Sequence, residues 1–248
     1  PFVPPIAGLE ESSHVYTSET MMENDMLPEE LVIIGGGYIG LEFASYYTNF
    51  GSHVTIIQDG DAFIPREDAE VAEAVYQNFL SRGITVIKCA QVMRIADSGS
   101  GADVTVAVSE KEQVLSADAV LVAAGRRPNV ASLNPAAAGI ETTERGAVKT
   151  DEHLKTTADD VWAMGDAAGG LQFTYISLDD SRIVKSQLLG DGSRTTANRG
   201  TVPYSVFIDP PLSRAGLTEA EARAKGYDVK IAKIPAAAVP KAQVLQKP

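Results

Sequence analysis

The tightest constraint on this chain lies in Leu31-Val32-Ile33-Ile34-Gly35-Gly36-Gly37-Tyr38-Ile39-Gly40. The apolar run 31–34 is short and rich in β-branched residues, and punctuation flanks it, so it predicts a buried parallel strand. Glycines at 35, 37 and 40 then give the G-x-G-x-x-G spacing. Ile39, Phe43, Tyr46, Tyr47 and Phe50 recur at helical spacing, and Gly51 sits where a glycine cap ends a helix. A second apolar run, 54–57, follows. Strand, glycine turn, helix, strand predicts the first unit of a dinucleotide-binding α/β fold. Gly35 allows the tight turn, Gly37 lets backbone approach a pyrophosphate, and Gly40 lets the helix lie against its strand. The helix start adds free N–H donors and the positive end of its dipole. A plain flexible turn would leave the apolar runs on both sides unexplained.

The 248 residues suffice for one large domain or two modest ones, and 44% hydrophobic with 22% charged residues is the balance of a soluble globular chain. Lys and Arg number 21 against 33 Asp and Glu, a net charge of −12 that disfavours nucleic acid and anionic membranes as partners. No run approaches the roughly 18 apolar residues of a membrane span. The first residues lack the basic start of a signal peptide. Because the sequence starts at Pro1 rather than Met, a piece of a longer protein is expected. The lone cysteine, Cys89, excludes an internal disulfide and reads as a small apolar residue at a strand end. His14, His53 and His153 have no ligand spacing, so no metal site is expected.

Residues 1–25 show no sustained period and read as a leading segment. Residues 66–82 predict a second helix with Val71, Val75 and Phe79 on one face, acids Glu67, Asp68 and Glu70 near its start, and Gly83 at its end. Residues 84–87 predict a strand. Runs at 92–95, 104–108 and around Val114 predict a small antiparallel meander. Residues 119–123 return to a buried strand, and 130–150 read as connection. Beyond them the pattern predicts a strand at 161–164, a helix at 175–189, a polar linker at 191–201 and a strand at 204–208. Thr218 and Glu221 form a capping box before a short helix ended by Gly226. Residues 229–234 and a further run near the end read as strands. There is no internal repeat.

Gly35 through Glu42, Ala124-Gly125-Arg126-Arg127-Pro128-Asn129, Trp162-Ala163-Met164-Gly165-Asp166, and Val202-Pro203-Tyr204 through Gly216-Leu217-Thr218 occur in this order. With them the chain resembles the class I pyridine nucleotide-disulfide oxidoreductases, flavoproteins that include dihydrolipoamide dehydrogenase, mercuric reductase and glutathione reductase. The stretch 169–180 is similar to a mercuric-reductase-like subgroup associated with defence against reactive chlorine species and hypothiocyanous acid. The resemblance implies a Rossmann-like FAD/NAD(P)-binding three-layer ββα sandwich with part of an α+β dimerisation domain. It implies a flavin-domain segment or linker at 1–27, the NAD(P)-binding domain at 28–149, the C-terminal part of the FAD-binding domain at 150–196 and the start of the dimerisation domain at 197–248. It also implies a cytoplasmic homodimer without nucleic acid or membrane as partner.

Roles follow from the resemblance position by position. Gly35, Gly36, Gly37, Tyr38, Ile39 and Gly40 would hold the pyrophosphate of the nicotinamide dinucleotide. Val92 would lie against its adenine, and Gly125 would line the same cleft. Glu42 matches the acid that faces the flavin and pairs with a lysine of the flavin domain; a solvated helix carboxylate is the plain alternative. Gly165, Asp166, Gln172, Phe173 and Thr174 fall on the FAD side. Asp166 matches the acid that bonds the ribityl chain, with a turn or helix cap as the plain alternative. At the end of the second strand, Gln58 stands where NAD users tend to carry an acid, and Asp59 would repel a 2′-phosphate. Arg66 is the nearest cation, so NAD(H) is favoured over NADP(H).

The family's own FAD-binding glycine motif, its Cys-x4-Cys pair and its His-Pro segment are not in this sequence. The resemblance therefore implies a central fragment of an FAD-dependent NAD(P)H:disulfide oxidoreductase. There, hydride passes from NAD(P)H to FAD and electrons pass on to a cysteine pair outside this chain. The fragment alone is expected only to bind NAD(H). The other readings are an NADH oxidase or peroxidase-type flavoprotein and a non-catalytic dinucleotide-binding module.

Overall fold

Buried apolar runs at both ends of the glycine turn set the centre of the fold. In chain order the strands are β1 (Val15–Thr17), β2 (Glu30–Ile34), β3 (His53–Ile57), β4 (Thr85–Ile87), β5 (Ala90–Ser98), β6 (Gly101–Val108), β7 (Lys111–Ala117), β8 (Ala119–Val122), β9 (Pro203–Val206) and β10 (Leu212–Ala215). The helices are α1 (Tyr38–Asn49), α2 (Ala69–Ser81), α3 (Thr174–Leu189), α4 (Glu219–Ala224) and α5 (Pro240–Val244). This computed structural model describes residues 1–244; the last four residues of the expected dimerisation segment lie outside the described part. It divides into two units, Pro1–Gly216 and the part from Leu217 onward.

In the first unit, five strands form a parallel sheet in the order β1-β8-β2-β3-β4. Register pairs Ile33 with Ile56 on one side and with Leu121 on the other. The period of two then sorts the side chains. Leu31, Ile33, Ile56 and Leu121 face Leu41 and Ala44 of α1 and Phe79 of α2. Val32, Ile34, Ile57, Val120 and Val122 face Val92, Ile95, Val104 and Val106 of the antiparallel β5-β6-β7 meander. Helices, parallel sheet and meander make three layers. Cover on both faces explains why the central strands read as unbroken apolar runs rather than alternating ones.

The second unit starts with the expected capping box. Thr218 Oγ1 accepts from Glu221 N at 3.1 Å, and Glu221 Oε2 accepts from Thr218 N at 2.8 Å. Helix α4 follows, with Gly226 beyond its end at φ +79°.

Several expectations are corrected. Residues 161–164 are not a strand: Trp162 makes one isolated bridge to Lys155, a pairing too short to propagate. Residues 229–234 and the run after them are not strands either. The former has no pairing strand among the described residues, and the latter contains α5. Helix α2 begins at Ala69, and its buried stripe is Ala72, Val75 and Phe79, while Val71 is exposed one residue off that face. Cys89 is exposed at φ +51° and so is not packed as a small apolar side chain. The leading segment contributes β1, which pairs with β8, and Met21, which reaches the core. Residues 191–201 are tied down, with Arg194 and Arg199 both paired to Asp179 of α3.

Candidate functional site

The carboxyl ends of β2, β3 and β8 meet at the glycine turn, the place where an open α/β sheet leaves its crevice. Gly35 stands at φ +115°, and a Cβ there would overlap the carbonyl oxygen of Ala123 at the end of β8. A Cβ on Gly40 would overlap the carbonyl oxygen of Gly35, so its absence sets how closely α1 approaches β2. Gly37 differs from both. Its backbone is ordinary, φ −79° and ψ 175°, and a Cβ would meet nothing within 4 Å. Gly37 is the N-cap of α1, whose first turn holds no acid. The N–H groups of Tyr38 and Ile39 therefore begin a helix end that is open and positive, the electrostatics an anion needs.

Gln58 follows β3 and is buried beside this turn, where a Cβ on Gly36 would overlap its Oε1. Its Nε2 donates to the carbonyl oxygens of Ala62 at 2.6 Å and Gly60 at 3.2 Å. Both amide hydrogens are thereby committed, and Oε1 is left as a buried acceptor without a partner. Asp59 is exposed and accepts from Gly60 N at 2.8 Å. Arg66 is exposed as well. The sequence reading missed Lys88, which strand pairing brings to the same loop: Cys89 N donates to Gly60 O at 3.3 Å, and Lys88 Nζ lies 4.2 Å from the Tyr76 ring centre. Val92 is buried against the parallel sheet, and Gly125 stands at φ +121° just past β8 with open space where a Cβ would be.

Among the residues expected to face FAD, Gly165 takes φ +63° and a Cβ would crowd Ser177 Oγ at 2.7 Å. Its N–H donates to Oδ2 of the buried Asp180 at 2.8 Å, and the other oxygen of Asp180 is held by Arg199. Asp166 is half exposed, 3.9 Å from Arg126 Nε. Gln172 and Thr174 are exposed near the start of α3, whereas Phe173 is packed on Tyr204 with ring centres 4.9 Å apart. Asp180 falls in a stretch that entered only through its resemblance; an acid four residues past the apolar Ile176, on the same helix face, was the signal that could have found it.

Glu42 is half buried, and its Oε1 accepts from Phe207 N at 2.9 Å. It is not a simply solvated carboxylate. A second acid, Glu67, lies in the loop before α2 and is buried. Its Oε1 accepts from the hydroxyls of both Tyr38 and Tyr204, which are 3.2 Å apart. Arg214 Nη1 stands 3.7 Å from Glu67 Oε2 and donates to Arg66 O at 2.7 Å. Burial, and then the bond to Glu67, push both phenols above their ordinary range, so they stay protonated donors. Among the described residues, no group of three His, Cys, Asp or Glu is placed to hold a metal, and no helix is long and apolar enough to cross a membrane.

Comparison with known proteins follows this geometry. Residues 1–181 match the family model described as pyridine nucleotide-disulphide oxidoreductase, and 202–248 match the dimerisation domain of the same family. The chain is 49% identical to the probable pyridine nucleotide-disulfide oxidoreductase RclA of Escherichia coli, over 98% of this chain and 54% of that protein. It is 36% identical to mercuric reductase of Staphylococcus aureus, over 98% of this chain and 44% of that protein. The solved HOCl-induced flavoprotein disulfide reductase RclA from Escherichia coli superposes with a TM-score of 0.91 at 48% identity, covering 99% of this chain and 55% of that one. The chain thus spans about half the length of the curated relatives it matches.

Proposed function

The chain belongs to the pyridine nucleotide-disulphide oxidoreductases, and from that premise we propose that its own function is to bind a nicotinamide dinucleotide, NADH in preference to NADPH, with the pyrophosphate over Gly37. One contrast carries this reading. The side chains missing at Gly35 and Gly40 are replaced by protein backbone, whereas the side chain missing at Gly37 leaves open space at a helix start. Gly36, Tyr38 and Ile39 complete the turn, and Val92 and Gly125 belong to its surroundings. The adenosine ribose is assigned to the loop of Gln58 and Asp59 at the end of β3, where the buried Gln58 shapes the loop through Gly60 and Ala62 and the exposed Asp59 carboxylate suits a hydroxyl donor. A 2′-phosphate would meet that carboxylate and be repelled.

For the whole protein the proposal extends to the family's reaction, in which the reduced dinucleotide is oxidised and a disulfide between two cysteines outside this chain is reduced to two thiols. When bound, the flavin would supply the two-electron chemistry between nicotinamide and disulfide. The residues here bind and orient. Asp166 offers its half-exposed carboxylate to a ribityl hydroxyl, with Gly165, Gln172, Phe173 and Thr174 around it. Glu42 keeps Oε2 for a cation from the flavin side. In this reading residues 28–149 are the dinucleotide domain, 1–27 and 150–196 belong to the flavin domain, and 197–248 begin the dimerisation domain. A cytoplasmic homodimer completes it, the dimer being supported by the dimerisation-domain match.

Calorimetric titration of this chain with NADH and with NADPH tests the proposal. NADH is expected to bind about tenfold or more tightly than NADPH. Equal affinities would refute the assignment at Gln58 and Asp59, and no binding of either would refute the dinucleotide site.

A further inference from the structure

We propose that Glu67 is a positioning residue for the dinucleotide turn, fixing Tyr38 and, through it, the first turn of α1 against the β9–β10 hairpin. Tyr38 is the residue after Gly37 and the first of α1. Its hydroxyl donates to Glu67 Oε1, the same oxygen takes the hydroxyl of Tyr204 of β9, and Arg214 of β10 faces Oε2. The rings of Tyr38, Phe173 and Tyr204 pack on one another, with centres 5.8 Å apart for Tyr38 and Tyr204. A buried carboxyl group is costly unless it is bonded or its charge is paired; here two phenols bond Oε1, and the Arg214 guanidinium stands 3.7 Å from Oε2 as an ion pair.

The contact is the first of a row. Glu42 and Ser45 lie four and seven residues past Tyr38, on the same face of α1. Glu42 accepts from Phe207 N, and Ser45 Oγ accepts from Asp209 N at 3.1 Å. One face of the helix is therefore bonded along residues 204–209 while its N-terminus faces the pyrophosphate. A ligand that orders the start of α1 must then steady the hairpin, and a loosened hairpin must weaken the ligand, because coupling between two sites is reciprocal. This inference rests on the dinucleotide reading above.

The test uses this chain and four proteins: wild type, Tyr204→Phe, Glu67→Ala and Glu67→Gln. NADH affinity is measured by calorimetry, and hydrogen exchange of residues 203–215 is followed with and without NADH. Tyr204→Phe, which removes one hydroxyl and keeps the stacked ring, is expected to weaken NADH by about fivefold or more, as is Glu67→Ala. Glu67→Gln keeps an acceptor and is expected to recover most of the affinity. NADH should slow exchange in the hairpin of the wild type and do so less in Tyr204→Phe, which keeps the Glu42 and Ser45 bonds, a response that a merely structural role would not produce. Wild-type affinity in Tyr204→Phe, with hairpin exchange unchanged by NADH, would overturn the inference and leave the dinucleotide site standing. A wild-type chain that binds no NADH contradicts both.

Discussion

The backbone N–H of Phe207 donates to Oε1 of Glu42 at 2.9 Å, joining the second turn of α1 to the residue that follows β9. This bond commits one oxygen of the acid to structure and, on the reading proposed above, leaves the other for a cation of the flavin domain. Glu42→Gln keeps an acceptor, so its melting temperature should stay close to wild type. Glu42→Ala should lose about 1 kcal/mol, the net worth of one such bond. Denaturant titration of both variants separates the two roles; equal losses would mean that the charge, not the bond, holds the pair.

Asp180 is expected to matter more for stability than any acid on the surface. Removing its carboxylate in Asp180→Ala strips Gly165 N–H of its acceptor and leaves Arg199, whose side chain is only 16% exposed, without one of its partners. Breaking a buried pair of this kind costs about 3–5 kcal/mol. Urea unfolding measures it directly. A loss under about 1 kcal/mol would show that the Gly165-Asp166 turn is held by something else.

The two raised phenols give a pH dependence with a definite sign. Tyr204 and Tyr38 are protonated more strongly in the folded chain than in the unfolded one, where a phenol titrates near about 10. Their contribution is fully present below that value and is lost as pH rises above it, because the unfolded state then releases protons that the folded state keeps. Stability should therefore fall above about pH 10, and Tyr204→Phe should fall less steeply. Thermal melts across that range, read alongside tyrosinate absorbance, check the slope; identical slopes would contradict the placement of the Tyr204 hydroxyl against Glu67.

What the sequence made legible was what neighbouring residues encode. The run 31–34, the glycine spacing and the Thr218 capping box each depend on contacts within a turn or two, and each is present as expected. Helix α1 forms too, but its buried face is Leu41, Ala44 and Tyr47, and Tyr46 and Phe50 of the expected stripe are exposed. The meander was also readable, because its turns are short and its alternation is plain. What stayed hidden depends on distant partners. Strand β1 exists because β8 offers it an edge about a hundred residues away, from Val15↔Val120 to Thr17↔Val122. Glu67 looked like a first-turn acid on a helix, and only the fold brings Tyr38, Tyr204 and Arg214 around it. Residues 229–234 show the opposite error: apolar alternation predicts a strand, but a strand forms only where another one pairs with it.

The central claim is that the open space at Gly37 is a pyrophosphate site. Gly37→Val introduces a side chain where the protein has no atom within 4 Å of the Cβ position, on a backbone any residue adopts. Its melting temperature should therefore match wild type closely, while NADH binding, followed by calorimetry, disappears. Undiminished NADH affinity in a folded Gly37→Val chain would contradict the account.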